Sequence, residues 1–205
     1  VAESSEKSTK GRREAQRERL IGFAEHLIAT QGLDAVRARE LAKQMGCAVG
    51  AIYNLVTDLD ELVLLVAQRT QRDLSAYLDA AAAGDHADAE GLLVAWAETY
   101  LRFAKENRLR WRALFEFRLP PDTPLPAWFV KDQEAIFSRL EDRLLPLTAR
   151  DTVGARKLKA RILFAAVHGI VALSLEEKVV AMPIEAVEGE LAAFVRAYLR
   201  GLTTK

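Results

Sequence analysis

Two short helical patterns meet at a glycine early in the chain, and few folds accommodate that arrangement. One runs from about Val36 to Met45 and stops at Gly46; the next runs from about Ala48 to Leu55. Glycine enters the left-handed backbone region at little steric cost, so it suits a sharp reversal between helices. Ala42 is small where two helices must cross closely, and Leu41, Met45, Cys47, Ile52 and Leu55 are expected to face inward, pinning the second helix to the first. Ahead of the pair, Leu20, Ile21, Ala24, Leu27 and Ile28 recur at helical spacing until Gln31-Gly32. This is the sequence form of a helix-turn-helix, with an ordinary αα-hairpin on a glycine turn as the alternative.

The remaining segments keep the same period. Asp58 or Asp60 supplies an N-cap for a long helix reaching roughly Ala82, and Gly84-Asp85-His86 breaks the pattern. Further helices are predicted near 89–106, 108–117, 127–145, 154–177 and 184–202, with a proline-rich loop at Pro120–Pro126. No short run shows strand alternation. The expected fold is all-α with about nine helices: a flexible arm over 1–11, a three-helix helix-turn-helix domain over 12–57, and a larger helical domain over 58–205.

From Arg12 to about Leu65 the chain resembles the tetracycline-repressor (TetR) family of regulators, through Glu40-Leu41-Ala42, Gly46, Gly50, Ile52-Tyr53 and Asp60-Glu61-Leu62. The resemblance implies binding of double-stranded operator DNA, with the short third helix in the major groove and Tyr53 against a phosphate. It also implies repression as the expected polarity, a small-molecule effector and a four-helix homodimer interface from the helices around 154–177 and 184–202. Three positions depart from the family pattern: Ala48 replaces a capping Ser, Val56 a Phe, and Leu59 a Lys that meets the DNA backbone. Ala165 to Glu176 is similar to a subgroup marked by Trp-His-Gly, with Val167 in place of the tryptophan and His168-Gly169 retained.

Residue chemistry fills in the expected sites. Ala48, Val49, Gly50 and Ala51 are small and suit thymine methyls, Asn54 suits adenine, and Arg37 or Arg39 suits guanine. Arg12 and Arg13, with Lys7 and Lys10, offer charge for phosphates, or else form a solvated tail. Trp96, Tyr100 and Phe103 share one helix face, and with Phe115, Phe137 and His168 they are the expected lining of a hydrophobic effector pocket. Core packing is the plainer reading of the same aromatics, and His168 could equally be a hydrogen-bonded core residue.

Composition narrows the class. Formal net charge is zero, so bulk charge does not indicate nucleic acid; up to Asn54 there are nine Lys and Arg against seven Asp and Glu, and 20 against 22 beyond. A single cysteine, Cys47, excludes an internal disulfide and, expected buried in the turn, makes a poor nucleophile. The three histidines stand far apart without metal-ligand spacing, and no phosphate loop or nucleophile elbow occurs. Neither catalysis, a cofactor nor a metal is expected. Neither a signal-peptide core over 1–13 nor an uncharged stretch long enough to span a bilayer is found, so the expected address is cytoplasmic, away from membranes. The alternative class is a helical protein-interaction adaptor without DNA binding.

Overall fold

A computed structural model describes residues 2–176 and 183–203, with side chains from residue 10 onward. Val1, the Lys7 side chain and the expected helix end at residue 177 lie outside the described residues. Among the described residues there are nine α-helices and no strand: α1 Ala2–Gln31, α2 Ala38–Met45, α3 Val49–Ile52, α4 Leu59–Ala82, α5 Ala89–Glu106, α6 Arg108–Glu116, α7 Ala127–Leu144, α8 Val153–Leu175 and α9 Ile184–Thr203. The all-α expectation is met.

By packing, the chain divides into two units. The first comprises Val1–Gln71 and Asn107–Leu125, the second Arg72–Glu106 and Pro126–Lys205. The division therefore falls inside α4 rather than at residue 57, and α6 belongs with the N-terminal helices.

The first unit is built on α1. Leu20, Ala24, Leu27 and Ile28 are buried along one face, where they meet Leu41 and Ala42 of α2, Ile52 of α3, Leu62 and Val66 of α4, and Ala113 of α6. Burying a side chain of leucine size removes it from water at a gain of ~1.5–3 kcal/mol, which holds helices as short as α3 in place. Glu25 of α1 receives Arg69 of α4 at 3.2 Å and Arg110 of α6 at 2.9 Å. The expected arm over residues 1–11 is instead helical from Ala2 onward. That stretch lacks proline and contains Glu, Lys and Ala, so the backbone continues α1 although no apolar period demands it.

In the second unit, α5 packs on α8 and α9, and α7 packs on α8. Phe103 is fully buried, its ring met edge-on by Tyr77 at 5.2 Å. Helix α8 has Ala160, Leu163, Val167 and Val171 buried, and Thr152 caps its start by accepting from the Ala155 N–H at 3.2 Å. Length and a mean hydropathy of 1.7 make α8 apolar enough to cross a membrane. Its first half carries Arg156, Lys157, Lys159 and Arg161, so the apolar part, from Ile162 to Leu175, is shorter than the uncharged stretch that a span was expected to need. Helix α8 packs on α7 and α9 along its buried face, while Leu158, Ile162 and Leu173 are exposed.

Candidate nucleic-acid interface and aromatic cluster

Helix α2 ends as the glycine predicts. Gly46 sits at φ +67°, ψ +37°, its N–H bonded to the Lys43 carbonyl at 3.2 Å and the Cys47 N–H to the Ala42 carbonyl at 3.0 Å. These paired bonds satisfy carbonyls that a helix end leaves open, and they need a residue that tolerates positive φ. Ile52 and Leu55 turn inward as expected, whereas Met45 is only partly buried. Cys47 is exposed, which corrects its expected burial. Two residues past the end of α2, the chain has already left the helix axis and no longer follows the helical period.

Helix α3 is a single turn, Val49–Ile52, shorter than the predicted 48–55. Ala48 occupies its N-cap without a side-chain hydrogen bond, and glycine in the middle further weakens helix. Beyond Ile52, tighter turns continue, with the Leu55 N–H on the Ile52 carbonyl at 2.9 Å. Val49 and Tyr53 are 40% and 48% exposed; Ala48, Gly50 and Asn54 are exposed and Ala51 half-buried. Only Ile52 of the turn is anchored in the core. A Cβ built on Gly50 meets nothing within 4 Å, so nothing inside the fold demands glycine there.

Around this turn, Arg37 and Arg39 are exposed at the start of α2, and the Arg37 Nε donates to the Asp34 carbonyl at 3.2 Å. Lys10, Arg12 and Arg13 are exposed on α1. A cleft of about 370 Å³ lies among Lys10, Arg13, Arg17, Tyr53, Thr57 and Glu61. Its floor is a hydrogen-bonded set that the sequence reading missed. Arg13 Nε donates to the Asn54 carbonyl and Arg17 Nε to the Leu55 carbonyl, both at 3.2 Å. Arg17 also reaches Glu61 at 2.7 Å. Glu61 in turn accepts from the Thr57 N–H at 2.6 Å, while Asp58 caps α4 by accepting from the Glu61 N–H at 2.7 Å. Asp58, rather than Asp60, is the cap. Burial alone would raise the Glu61 pKa, but the hydrogen bonds from Thr57 and the bond and charge of Arg17 outweigh it and hold the carboxyl below its ordinary value. Two of the three departures are also explained: Val56 is buried and Leu59 packs against the same core.

The second unit gathers part of the expected aromatic set. The Tyr100 hydroxyl lies 2.8 Å from His168 Nδ1, and Phe164 stacks on the imidazole at 5.7 Å with 20° between planes. Phe137 meets Phe164 edge-on at 5.3 Å, and Tyr100 does so at 5.9 Å. Trp96, one turn before Tyr100 on α5, is 7% exposed, and its buried Nε1 donor has no partner. The Arg139 and Arg143 guanidinium groups stand over its ring at 5.8 and 5.9 Å. Burial lowers the pKa of His168 from its ordinary 6.5, favouring the neutral imidazole. Phe103 faces Tyr77 instead, and Phe115 belongs to the first unit, against Trp111 at 5.4 Å. Phe164, Arg139 and Arg143 were missed as candidates, although Phe164 stands one helical turn before His168.

A helix-turn-helix head preceding a larger helical portion is the organisation of DNA-binding transcription regulators. The family model for the tetracyclin repressor-like C-terminal domain matches residues 93–200, a little over half of the chain. The chain belongs to the tetracycline-repressor family of transcriptional regulators. No curated protein matches by sequence. Similar solved structures include a protein of unknown function from Rhodococcus sp. RHA1, 22% identical at a TM-score of 0.75, covering 92% of this chain and 96% of its own. PfmR, a TetR-family regulator from Thermus thermophilus, is 18% identical at a TM-score of 0.60, with 89% and 97% covered. RolR in complex with the ligand resorcinol is 20% identical at a TM-score of 0.64, with 95% and 96% covered. At these identities the likeness establishes the fold.

Proposed function

We propose that this chain is a ligand-responsive regulator, acting as a repressor, that binds a palindromic operator as a homodimer. The observation that carries it is the α3 turn: Ile52 locks it to the core, while Val49, Tyr53 and Asn54 face outward beside a glycine that the fold does not need. A bare backbone flanked by a phenol and an amide suits close approach to a duplex, with Tyr53 on a phosphate, Asn54, Arg37 and Arg39 at base edges, and Arg12 and Arg13 beside the backbone.

Dimerisation through α8 and α9 is supported by their exposed apolar residues. Leu158, Ile162 and Leu173 are 59%, 47% and 43% exposed on α8 and Phe194 is 37% exposed on α9, with Gly169 leaving open space for close approach. Two such faces related by a two-fold axis form a four-helix contact and supply two reading heads, as a palindrome with half-sites about 34–36 Å apart requires. The effector site is proposed at Trp96, Tyr100, Phe137 and His168, now with Phe164. A small aromatic molecule, as in the resorcinol complex of RolR, suits these rings, and a hydrogen-bond acceptor on it would satisfy the Trp96 donor. Helix α4 contributes residues to both units, so it is the element proposed to couple effector and DNA; such coupling is typically ~1–3 kcal/mol. Because the operator is unidentified, the test is selection of duplexes from a random-sequence library followed by titration across salt. Enrichment of a palindrome with steeply salt-dependent affinity is expected; no enrichment and no retardation at low salt would make the chain an adaptor.

A further inference from the structure

The recognition turn has a problem that its sequence creates. A single helical turn without a capping side chain and with a central glycine does not hold its own geometry, yet Tyr53 and Asn54 leave from its end. What fixes that end comes from elsewhere in the first unit. Arg17 donates Nε to the Leu55 carbonyl at 3.2 Å and a second nitrogen to Glu61 at 2.7 Å. Glu61 also holds the Thr57 N–H at 2.6 Å. One guanidinium–carboxylate pair thus ties α1, the exit of α3 and the first turn of α4 together across the residues that separate the last two. Arg17 and Glu61 are each only 28% exposed, so the pair is partly shielded from solvent and salt. Arg13, one turn earlier on α1, adds a parallel bond to the Asn54 carbonyl at 3.2 Å.

We infer that Arg17 and Glu61 are positioning residues for DNA recognition, a latch that sets the pose of Tyr53 and Asn54 without touching DNA. This rests on the DNA-binding reading above. A planar, forked guanidinium serves two acceptors in fixed directions, as a lysine amine does not. Loss of the latch leaves the phosphate-facing charges Lys10, Arg12 and Arg13 in place but frees the turn that carries the base-reading groups. Specific and nonspecific binding then separate.

The test uses the full chain, a duplex enriched by the wild-type protein from a random library, and a random duplex of equal length. Arg17→Gln and Glu61→Gln are each expected to weaken binding to the enriched duplex by about 10- to 100-fold. Binding to the random duplex stays within about twofold, and the slope of log affinity against log salt is unchanged, because no phosphate contact is lost. The charge swap Arg17→Glu with Glu61→Arg does not recover the loss, because a carboxylate at 17 cannot donate to the Leu55 carbonyl and a guanidinium at 61 cannot accept from the Thr57 N–H. Arg17→Lys, which keeps a donor, recovers part. Glu61→Gln keeps shape and volume and carries the test if Arg17→Gln fails to melt cooperatively. A slope reduced by about 0.9 in Arg17→Gln, with equal weakening on both duplexes, would make Arg17 a phosphate contact and overturn the latch. Unchanged affinity of both variants for the enriched duplex would also overturn it. A wild-type protein that binds neither duplex would remove the DNA reading itself.

Discussion

The α3 turn and the aromatic cluster expose different halves of the same design. Around the α3 turn of the first unit, polar groups find internal partners, Asp58 in the Glu61 N–H and Arg17 in Leu55 and Glu61, and Gly46 takes the backbone angle the turn needs. Away from the turn, at the edge of that unit, the buried Gln71 Oε1 has no hydrogen-bond partner. The side chains of Val49, Tyr53 and Asn54 remain outward, beside a Gly50 whose missing side chain would meet only open space. In the second unit the polar groups lie inside, and one of them, Trp96 Nε1, has no partner. A surface left over from folding points to a large external partner, whereas a buried donor left unpaired points to a small one. On the proposed reading, the first presents its outward groups to DNA. The second holds a group whose hydrogen bond is still to be made.

Substitutions can break or sharpen that contrast. The largest effect is expected at Phe103, fully buried: Phe103→Ala destabilises by ~3–5 kcal/mol in chemical denaturation. A smaller loss would mean that Phe103 lines a space able to collapse. Gly50→Leu is expected to reduce binding to the enriched duplex more than 100-fold, with the melting temperature unchanged because the added side chain meets open space (fold-change set by ~1.4 kcal/mol per tenfold). A fall in stability would show that Gly50 has an internal role after all. Tyr53→Phe removes one hydroxyl and is expected to weaken binding by ~0.5–1.5 kcal/mol without affecting folding. Trp96→Phe removes the unpaired donor while keeping an aromatic ring. Stability is expected to change by less than ~1.5 kcal/mol while affinity for an acceptor-bearing aromatic compound falls.

The smallest effect is a pH dependence. The His168 pKa is lowered by burial, so below about 6.5 the unfolded chain takes up a proton that the folded imidazole resists. Stability contributed by this site is full above that pH and declines as pH falls through it. His168→Gln is expected to flatten this part of the melting profile measured between pH 7.5 and 5. An identical profile in the variant would assign the slope to other groups.

Much of the first unit was legible because its signals are local. Helical spacing in α1, a glycine needing positive φ and an aspartate before a long helix are each set by a few adjacent residues. Cys47 was misjudged because it lies beyond the turn, where the helical period no longer tells inside from outside. Residues 2–11 were misjudged for the opposite reason: their polarity hid a backbone with no reason to stop being helical. The Arg17–Glu61 pair spans 44 positions and the Tyr100–His168 contact 68. Neither follows from spacing along one helix. For the same reason Phe115 looked like a companion of Phe137 but sits with Trp111 in the other unit.

The decisive measurement is a fluorescence-anisotropy titration of the enriched duplex with the wild-type chain over a range of salt, paired with sedimentation equilibrium of the complex. Two protomers per duplex, and an affinity falling by about 10³-fold or more from 50 to 200 mM salt, are expected if six or more phosphates are neutralised by the paired heads. A strictly monomeric protein whose presence leaves the anisotropy flat even at the lowest salt would contradict it.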